Sequence, residues 1–334
     1  MYEILPYTPD LADRFDRFIN EESINGTFLQ TRRFLDYHPA GRFKDASFIV
    51  HISGTIVAVV PGAEITSDHF EKPAFVSHPG TTFGGPILSE PAYHESHLSE
   101  ILKTIDAYFS ERYSSVRLKL TPNIFSRISP DLMEYLLEHM GYTRKTELSA
   151  ICHLSKTEDP LDRCDRKCRR VFRDTHGHDI EYRELRTDSE FETFYKYLVI
   201  SKEKFGVKPV HTLAELYDLK DNRIPENIRF RGIWDNGIFV GALMTFFFNK
   251  TNTRHAQYIA VNPDFKEFQP ATALYVYSMR EAASEGVSHF SWGISTENHG
   301  DYLNENLFRF KQSFGALGAV NPSYEKNICL KSKN

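Results

Sequence analysis

The side chains most able to move a proton or meet a developing negative charge gather in the second half of the chain. Ser295-Thr296-Glu297-Asn298-His299-Gly300 packs hydroxyls, a carboxylate, an amide and an imidazole into six residues, between a strand pattern and a helical one. The C-terminal end of a strand is where α/β folds bind ligands. Group transfer to an amine or hydroxyl is one chemistry that needs a group to take up a proton. Glu297 can do this if burial raises its pKa. The competing assignment is helix capping and loop bonding by Ser295 and Asn298. His211 is a rival or paired base, because imidazole titrates near neutrality. It stands just before a helix whose start is marked by Thr212, with Glu215 at the capping-box position. The sequence alone does not separate the two bases.

Other constellations are electrostatic or metal-like. Arg163, Arg166, Lys167, Arg169, Arg170 and Arg173 fall within eleven residues of a chain whose net charge is -5. Such a run grips phosphates or forms a solvated helix face. With little aromatic interleaving, it is a poor reader of nucleic-acid sequence. Cys164-x3-Cys168 followed by His176-x-His178 has the residue types of a zinc site. Zinc fingers separate their two ligand pairs by about a dozen residues, a spacing missing here, so no metal is expected. No P-loop, dinucleotide fingerprint or nucleophile elbow occurs. The glycines of His78 to Ile87 would let a ligand approach closely, but a bulged strand and tight turn is the preferred assignment.

These groups must be held by a sizeable core. The chain has 334 residues, 41% hydrophobic and 25% charged, which are globular values with room for two domains. Its 26 Phe and 17 Tyr suit a sheet-rich interior. Cys152, Cys164, Cys168 and Cys329 are too scattered for a disulfide framework, pointing to a reducing compartment. The first ten residues lack a basic stretch followed by an apolar core, and no run approaches the ~20 apolar residues of a spanning helix. A soluble, cytoplasmic protein is therefore expected.

Hydrophobic periodicity predicts helices over Leu11–Ile19, His94–Tyr113, Asp131–Met140, Asp162–Thr175, Glu190–Phe205, Ala271–Glu285 and Tyr302–Phe314. It predicts strands over 46–52, 55–64, 116–120, 148–154, 180–185, 228–234, 238–248, 253–261 and 288–293, with a last strand beginning at Asn327–Leu330. Ser53-Gly54 and Asn236-Gly237 are hairpin turns. The order recurs: Gly54 matches Gly237, Lys119 matches Trp292, and Gly141 matches Gly315, at offsets of 173 to 183 residues. The chain thus reads as a duplicated mixed α/β domain, a central sheet flanked by helices, with copies at 1–155 and 156–334.

Three stretches carry a resemblance: KPVHTLAEL (Lys208–Leu216), AQYIAVNP (Ala256–Pro263) and WGISTENHGDYLNENLFRFKQSFGA (Trp292–Ala316). FLQTRRFLDYHPAGRFKDASFIV and SHPGTTFGGPI of the first copy fit as well. Together they resemble the FemAB-like acyltransferases of the GNAT superfamily, which have two tandem GNAT domains. The resemblance implies acyl transfer to an amine or hydroxyl. It places the donor where one strand, Gln257–Val261, splays from its neighbour, with its phosphates at the start of the next helix. Ile259, Val261, Phe268, Gln269, Ala271 and Thr272 would then hold acetyl-CoA or another acyl-CoA. FKEFQPATAL departs from the pattern by lacking the glycine-rich phosphate loop, and Glu267 would repel an anion there. Lys311, in FKQSF, matches the lysine that contacts the reacting acyl group in the peptidoglycan-bridge enzymes, where it can stabilise an oxyanion.

The leading expectation is an acyltransferase acting by direct attack, without a covalent enzyme intermediate. Gln257, Tyr258, Trp292, Ser295, Asn298 and Asn304 would bind a carbohydrate-like or nucleotide-linked cell-envelope precursor in a cleft between the copies. Surface-polysaccharide biosynthesis is the implied context. Two alternatives stand: an aminoacyl-tRNA-dependent peptidyltransferase, and a non-catalytic protein that binds an anionic glycan on the same fold.

Overall fold

Positive-φ glycine turns and amphipathic helices recur along the chain, and they shape two units of the same kind. The computed structural model describes residues 1–66, 72–204, 206 to 328; Cys329 and the far end of the strand expected from Asn327 lie outside the described residues. The chain divides into one unit of Met1–Glu147 with Val320–Asn334, and a second of Leu148–Ala319.

In the first unit the hairpin Phe48–Ile52/Thr55–Val60 turns at Ser53 (φ 49) and Gly54 (φ 83), both left-handed as a tight two-residue turn requires. Ala74–Ser77 and Ser115–Lys119 run parallel, and residues of the C-terminal strand pair antiparallel with the latter (Ser323↔Lys119). Helix Glu95–Arg112 buries Leu98, Ile101, Leu102, Ile105 and Phe109, the one-sided stripe its sequence spacing predicts. His78 to Pro86 continues the parallel pair. Gly84 and Gly85 donate to the Lys119 carbonyl at 2.8 and 3.1 Å, and Gln30 donates to the Gly84 carbonyl at 2.8 Å. A Cβ on Gly84 would lie 2.3 Å from the Ser77 backbone, which explains the glycine and the structural assignment of this segment.

The second unit repeats the plan. Strands Ile180–Glu184, Ile228–Asp235, Ile238–Phe248, Thr253–Val261 and His289–Ile294 lie side by side in that order, followed by residues 148–153. Its hairpin turns at Asn236 (φ 48) and Gly237 (φ 79), the same geometry as the first copy. Each hairpin also carries a register shift just before its turn, at Val50/His51 and at Ile233/Trp234. Helix Pro270–Glu285 starts with proline, ends at left-handed Gly286 (φ 82), and is buried on nearly every side.

Several expectations change. The strand expected over 55–64 is two, Thr55–Val60 and Ala63–Ile65, and the one expected over 148–154 is Thr143–His153. Asp162–Thr175 is two helices, Pro160–Arg163 and Arg166–Arg173. Asp165 is extended and its carboxylate accepts from the Cys168 N–H, so a cap interrupts what periodicity reads as one helix. Cys164 and Cys168 therefore do not sit within a single helix. The last helix is Glu305–Gln312, because Asn304 caps it and Tyr302–Leu303 pairs with Thr296–Glu297 as a small hairpin. The final strand is Leu317–Asn327, which starts ten residues before its expected position. No helix among the described residues is long and apolar enough to cross a membrane.

Candidate active site

The site grows from a local failure of strand pairing. Thr253–Val261 and His289–Ile294 are parallel, but pair only at Thr253↔His289, Arg254↔Phe290 and His255↔Ser291. Beyond that point the strands part. In the first unit the equivalent pair is closed by the glycines described above. Buried backbone groups left by such a parting need other partners. On the second strand Lys311 supplies them: its Nζ donates to the carbonyls of Gly293 and Ile294 at 2.8 Å each and to Ser295 Oγ at 2.7 Å. Lys311 is 5% exposed, and burial pulls its pKa down to about 8.

A bulge adds a second feature. Thr245 faces Ala256 while Met244 faces Tyr258, so Gln257 has no opposite number. His255 and Tyr258, three residues apart, face Phe246 and Met244, which are two apart on their strand. The bulge therefore brings His255 and Tyr258 to one face, where strict alternation would oppose them. His255 Nδ1 lies 3.1 Å from Ser291 Oγ. Its ring lies against Gly293, where a Cβ would come 3.7 Å from it. Burial first, and Lys311 second, push its pKa down to about 4, so it is neutral at pH 7. Tyr258 Oη lies 2.6 Å from Nδ1 of His211, itself 4% exposed and set by the Pro209 to Thr212 approach to helix Leu213–Asp218. Burial raises Tyr258 to about 12, so the phenol stays protonated; its oxygen accepts from His211 when Nδ1 carries the ring proton, which makes Nε2 the basic nitrogen. Tyr195 Oη donates to the His211 carbonyl at 3.2 Å, tying the segment to helix Asp188–Glu203.

The other sequence candidates fall into three groups. Ser295 is buried and joins Lys311, while Gln257 is half-buried on the bulge. Glu297, Asn298 and Asn304 belong to the surface hairpin and the cap. Glu297 is exposed and accepts from Asn304 Nδ2 at 3.0 Å, so the burial that would make it a good base is missing. Asn298 is exposed with φ 48, and Asn304 Oδ1 accepts from the Leu307 N–H. Trp292 is core: it packs on Phe290, Tyr275 and Phe314, with ring centroids 4.9 to 5.8 Å away, instead of lining a cleft.

Ile259 and Val261 are half-buried on the parted strand, and Phe268 packs on Phe265 at 4.9 Å. Gln269 is the uncapped N-terminal residue of the long helix, followed by half-buried Ala271 and buried Thr272. Gln269 and Thr272 line a cavity of about 310 Å³ together with Asp165, Lys167 and Cys168 of the basic helix and Asn306, Arg309, Phe310 and Ser313 of the last helix. Lys167 belongs to the basic run that the sequence offers as a phosphate grip, whereas His255 and the cavity's Arg309 are not among the residues its motifs single out. A histidine two places before Gln257 was a signal, but only the bulge and the packing of Lys311 give it meaning. Among the described residues no three His, Cys, Asp or Glu side chains gather as a metal site.

The comparisons match this geometry. Residues 162–311 fit the family model of the acetyltransferase (GNAT) domain. Those residues are thus a GNAT-type acetyltransferase domain. Over the whole length the likeness to solved structures is one of fold. The fold is similar to FemX (10% identity, covering 97% of this chain and 96% of that one, TM-score 0.68). It is similar to L-PGS from Bacillus licheniformis (12%, 95% and 91%, TM-score 0.56). It is also similar to a tandem GNAT protein from the clavulanic acid biosynthesis pathway (11%, 99% and 100%, TM-score 0.53). No curated protein matches in sequence.

Proposed function

We propose that the second copy, 156–334, transfers an acyl group, an acetyl group in the simplest case, from acyl-CoA to an amine or hydroxyl of a carbohydrate-like or nucleotide-linked acceptor. The parting of Thr253–Val261 from His289–Ile294, with Lys311 at its base, is the observation that carries this. An extended pantetheine arm can pair with the freed strand edge, as a further strand would. Its phosphates fall toward the start of helix Pro270–Glu285, where no side chain caps the helix and the dipole favours an anion. His211, oriented by Tyr258, takes the proton from the incoming nucleophile. The nucleophile attacks the thioester carbonyl directly, and Lys311 stabilises the oxyanion that forms before the thiolate leaves. Glu297 with Asn304 stands at the surface, suited to binding a hydroxyl or amine of the acceptor.

A thermal-shift series with CoA and acetyl-CoA tests donor binding: at about 100 times Kd a ligand of the folded state adds roughly 2.7 kcal/mol. Thiol release from acetyl-CoA with amino-sugar acceptors tests turnover, and His211→Gln should lower it by about a hundredfold or more. Absence of both stabilisation and thiol release would defeat the proposal. A second reading, aminoacyl-tRNA as donor, is favoured by the missing glycine loop and the exposed cations of Arg166–Arg173. A non-catalytic glycan binder would be stabilised by polyanionic sugars and not by CoA.

A further inference from the structure

The basic helix gives the donor site a feature that free CoA does not require. Arg166–Arg173 buries Cys168, Val171 and Phe172 and exposes Arg166, Lys167, Arg169, Arg170 and Arg173. Four of these, Arg166, Lys167, Arg170 and Arg173, make no ion pair among the described residues, although Asp162, Asp165 and Asp174 stand close in sequence. Arg169 donates only to the Asp162 carbonyl, at 3.4 Å. The carboxylate of Asp165 is engaged by its own helix, at the Cys168 N–H.

This helix forms one wall of the 310 Å³ cavity, and the opposite walls hold groups suited to one phosphate. Thr272, 4% exposed, lines the cavity, and its hydroxyl has no hydrogen-bond partner among the described residues. Lys167 reaches it from the basic helix, and Arg309, which also pairs with Glu305, from the last helix. Phe310 lines the cavity yet is 37% exposed, and Leu307, one turn earlier, is 40% exposed. The rim is thus apolar on one side and cationic on the other.

We propose that the natural donor is an acyl thioester on the phosphopantetheine arm of an acidic carrier protein, with the carrier docked on Arg166–Arg173. This rests on the acyltransferase reading of the same unit. A carrier-bound arm has a single phosphodiester, which suits a helix start with one free hydroxyl and no glycine loop for a pyrophosphate. Acidic side chains of the carrier would face the cations, which have no acidic partners among the described residues of their own chain. The size of the patch separates this from tRNA. Eight helical residues span about 12 Å. A nucleic acid needs phosphate contacts spread along its backbone, and the rest of this chain is net acidic. No new bond is implied beyond the transfer already described: the thioester's acyl carbon moves to the acceptor, and the arm's thiol leaves on the carrier.

The test is fluorescence anisotropy with the intact chain and four probes: a recombinant acidic acyl carrier protein in its holo form, the same carrier as apo protein, CoA, and bulk deacylated tRNA. The expected result is that holo carrier binds at least about tenfold tighter than apo carrier and CoA near 50 mM salt, and that its advantage falls as salt rises. Arg166→Glu with Arg170→Glu and Arg173→Glu, which leaves Lys167 and the cavity in place, should weaken holo carrier by about tenfold or more and CoA by less than about twofold. Circular dichroism confirms that the variant is folded. Carrier binding no tighter than CoA overturns the inference and leaves the acyl-CoA reading standing. Tight tRNA binding, lost in the triple variant, overturns it in favour of a nucleic-acid surface. Failure of CoA and both carrier forms to bind removes the thioester reading together with the inference.

Discussion

Lys311→Met probes the base of the parted strands most directly. Methionine keeps an unbranched apolar stem, but Gly293 O, Ile294 O and Ser295 Oγ lose their shared donor. A buried acceptor left without a donor costs about 1–3 kcal/mol. Against this, the wild type holds a buried ammonium whose pKa has fallen from 10.5 to about 8. At about 1.36 kcal/mol per unit that is a penalty of roughly 3 kcal/mol below pH 8, which the variant escapes. Three lost partners outweigh one relieved charge, so a net destabilisation of roughly 1–4 kcal/mol is expected near neutrality.

The pH dependence gives a sharper criterion. Unfolded lysine keeps its proton up to 10.5, whereas folded Lys311 releases it around 8. Between these values the unfolded chain binds more protons, so wild-type stability rises with pH through this window. The variant lacks that contribution, and the stability gap should therefore widen between pH 7 and 10. Urea unfolding of both proteins at about pH 7, 8.5 and 10, analysed by linear extrapolation, measures it. Parallel pH curves for the two proteins would refute the claim that a strained, buried ammonium sits at this position.

Three further changes have defined outcomes. Tyr258→Phe removes the partner of His211 Nδ1 and should cost roughly 1–2 kcal/mol in urea unfolding, while shifting the acidic limb of the turnover–pH profile; an unmoved profile would mean that the pair is only structural. Arg254→Met empties the fully buried guanidinium that bridges Glu281 and Glu285 at 3.3 and 2.7 Å. Because Arg231 and Arg229 still meet those carboxylates, the loss should be roughly 3 kcal/mol, the low end for a broken buried pair, and is checked by thermal unfolding. Acidification should destabilise the second unit through His255, whose folded pKa is about 4 against 6.5 when free. The unfolded chain binds the extra proton between these values, so stability falls as pH drops from 6.5 to 4, and His255→Gln should flatten that part of the curve.

Local pattern was enough to determine several things about this protein. The hairpin dipeptides Ser53-Gly54 and Asn236-Gly237 specify left-handed turns wherever they occur, and both are found as such. Period-3.6 stripes such as Leu98 to Phe109 mark a buried helix face, and the repeat of these signals at a near-constant offset identifies the duplicated mixed α/β fold. The Thr212–Glu215 capping box is local as well, and it fixes the residue before which His211 must stand.

Only tertiary structure decided which polar side chains gather at the candidate site. Whether two parallel strands stay paired depends on the strands' neighbours, so the parting after His255 and Ser291 has no local signature. The bulge at Gln257 moves Tyr258 onto the face of His255, a change of phase that alternation in sequence cannot carry. Burial made the same distinction between charged groups. Lys311, in the last helix, and Glu297, shortly before it, look alike as charged residues in sequence, yet packing withdraws the first from water and leaves the second on a surface hairpin. Side-chain chemistry is written in the residue type, while the solvent and the partners that tune it come from residues far away in the chain.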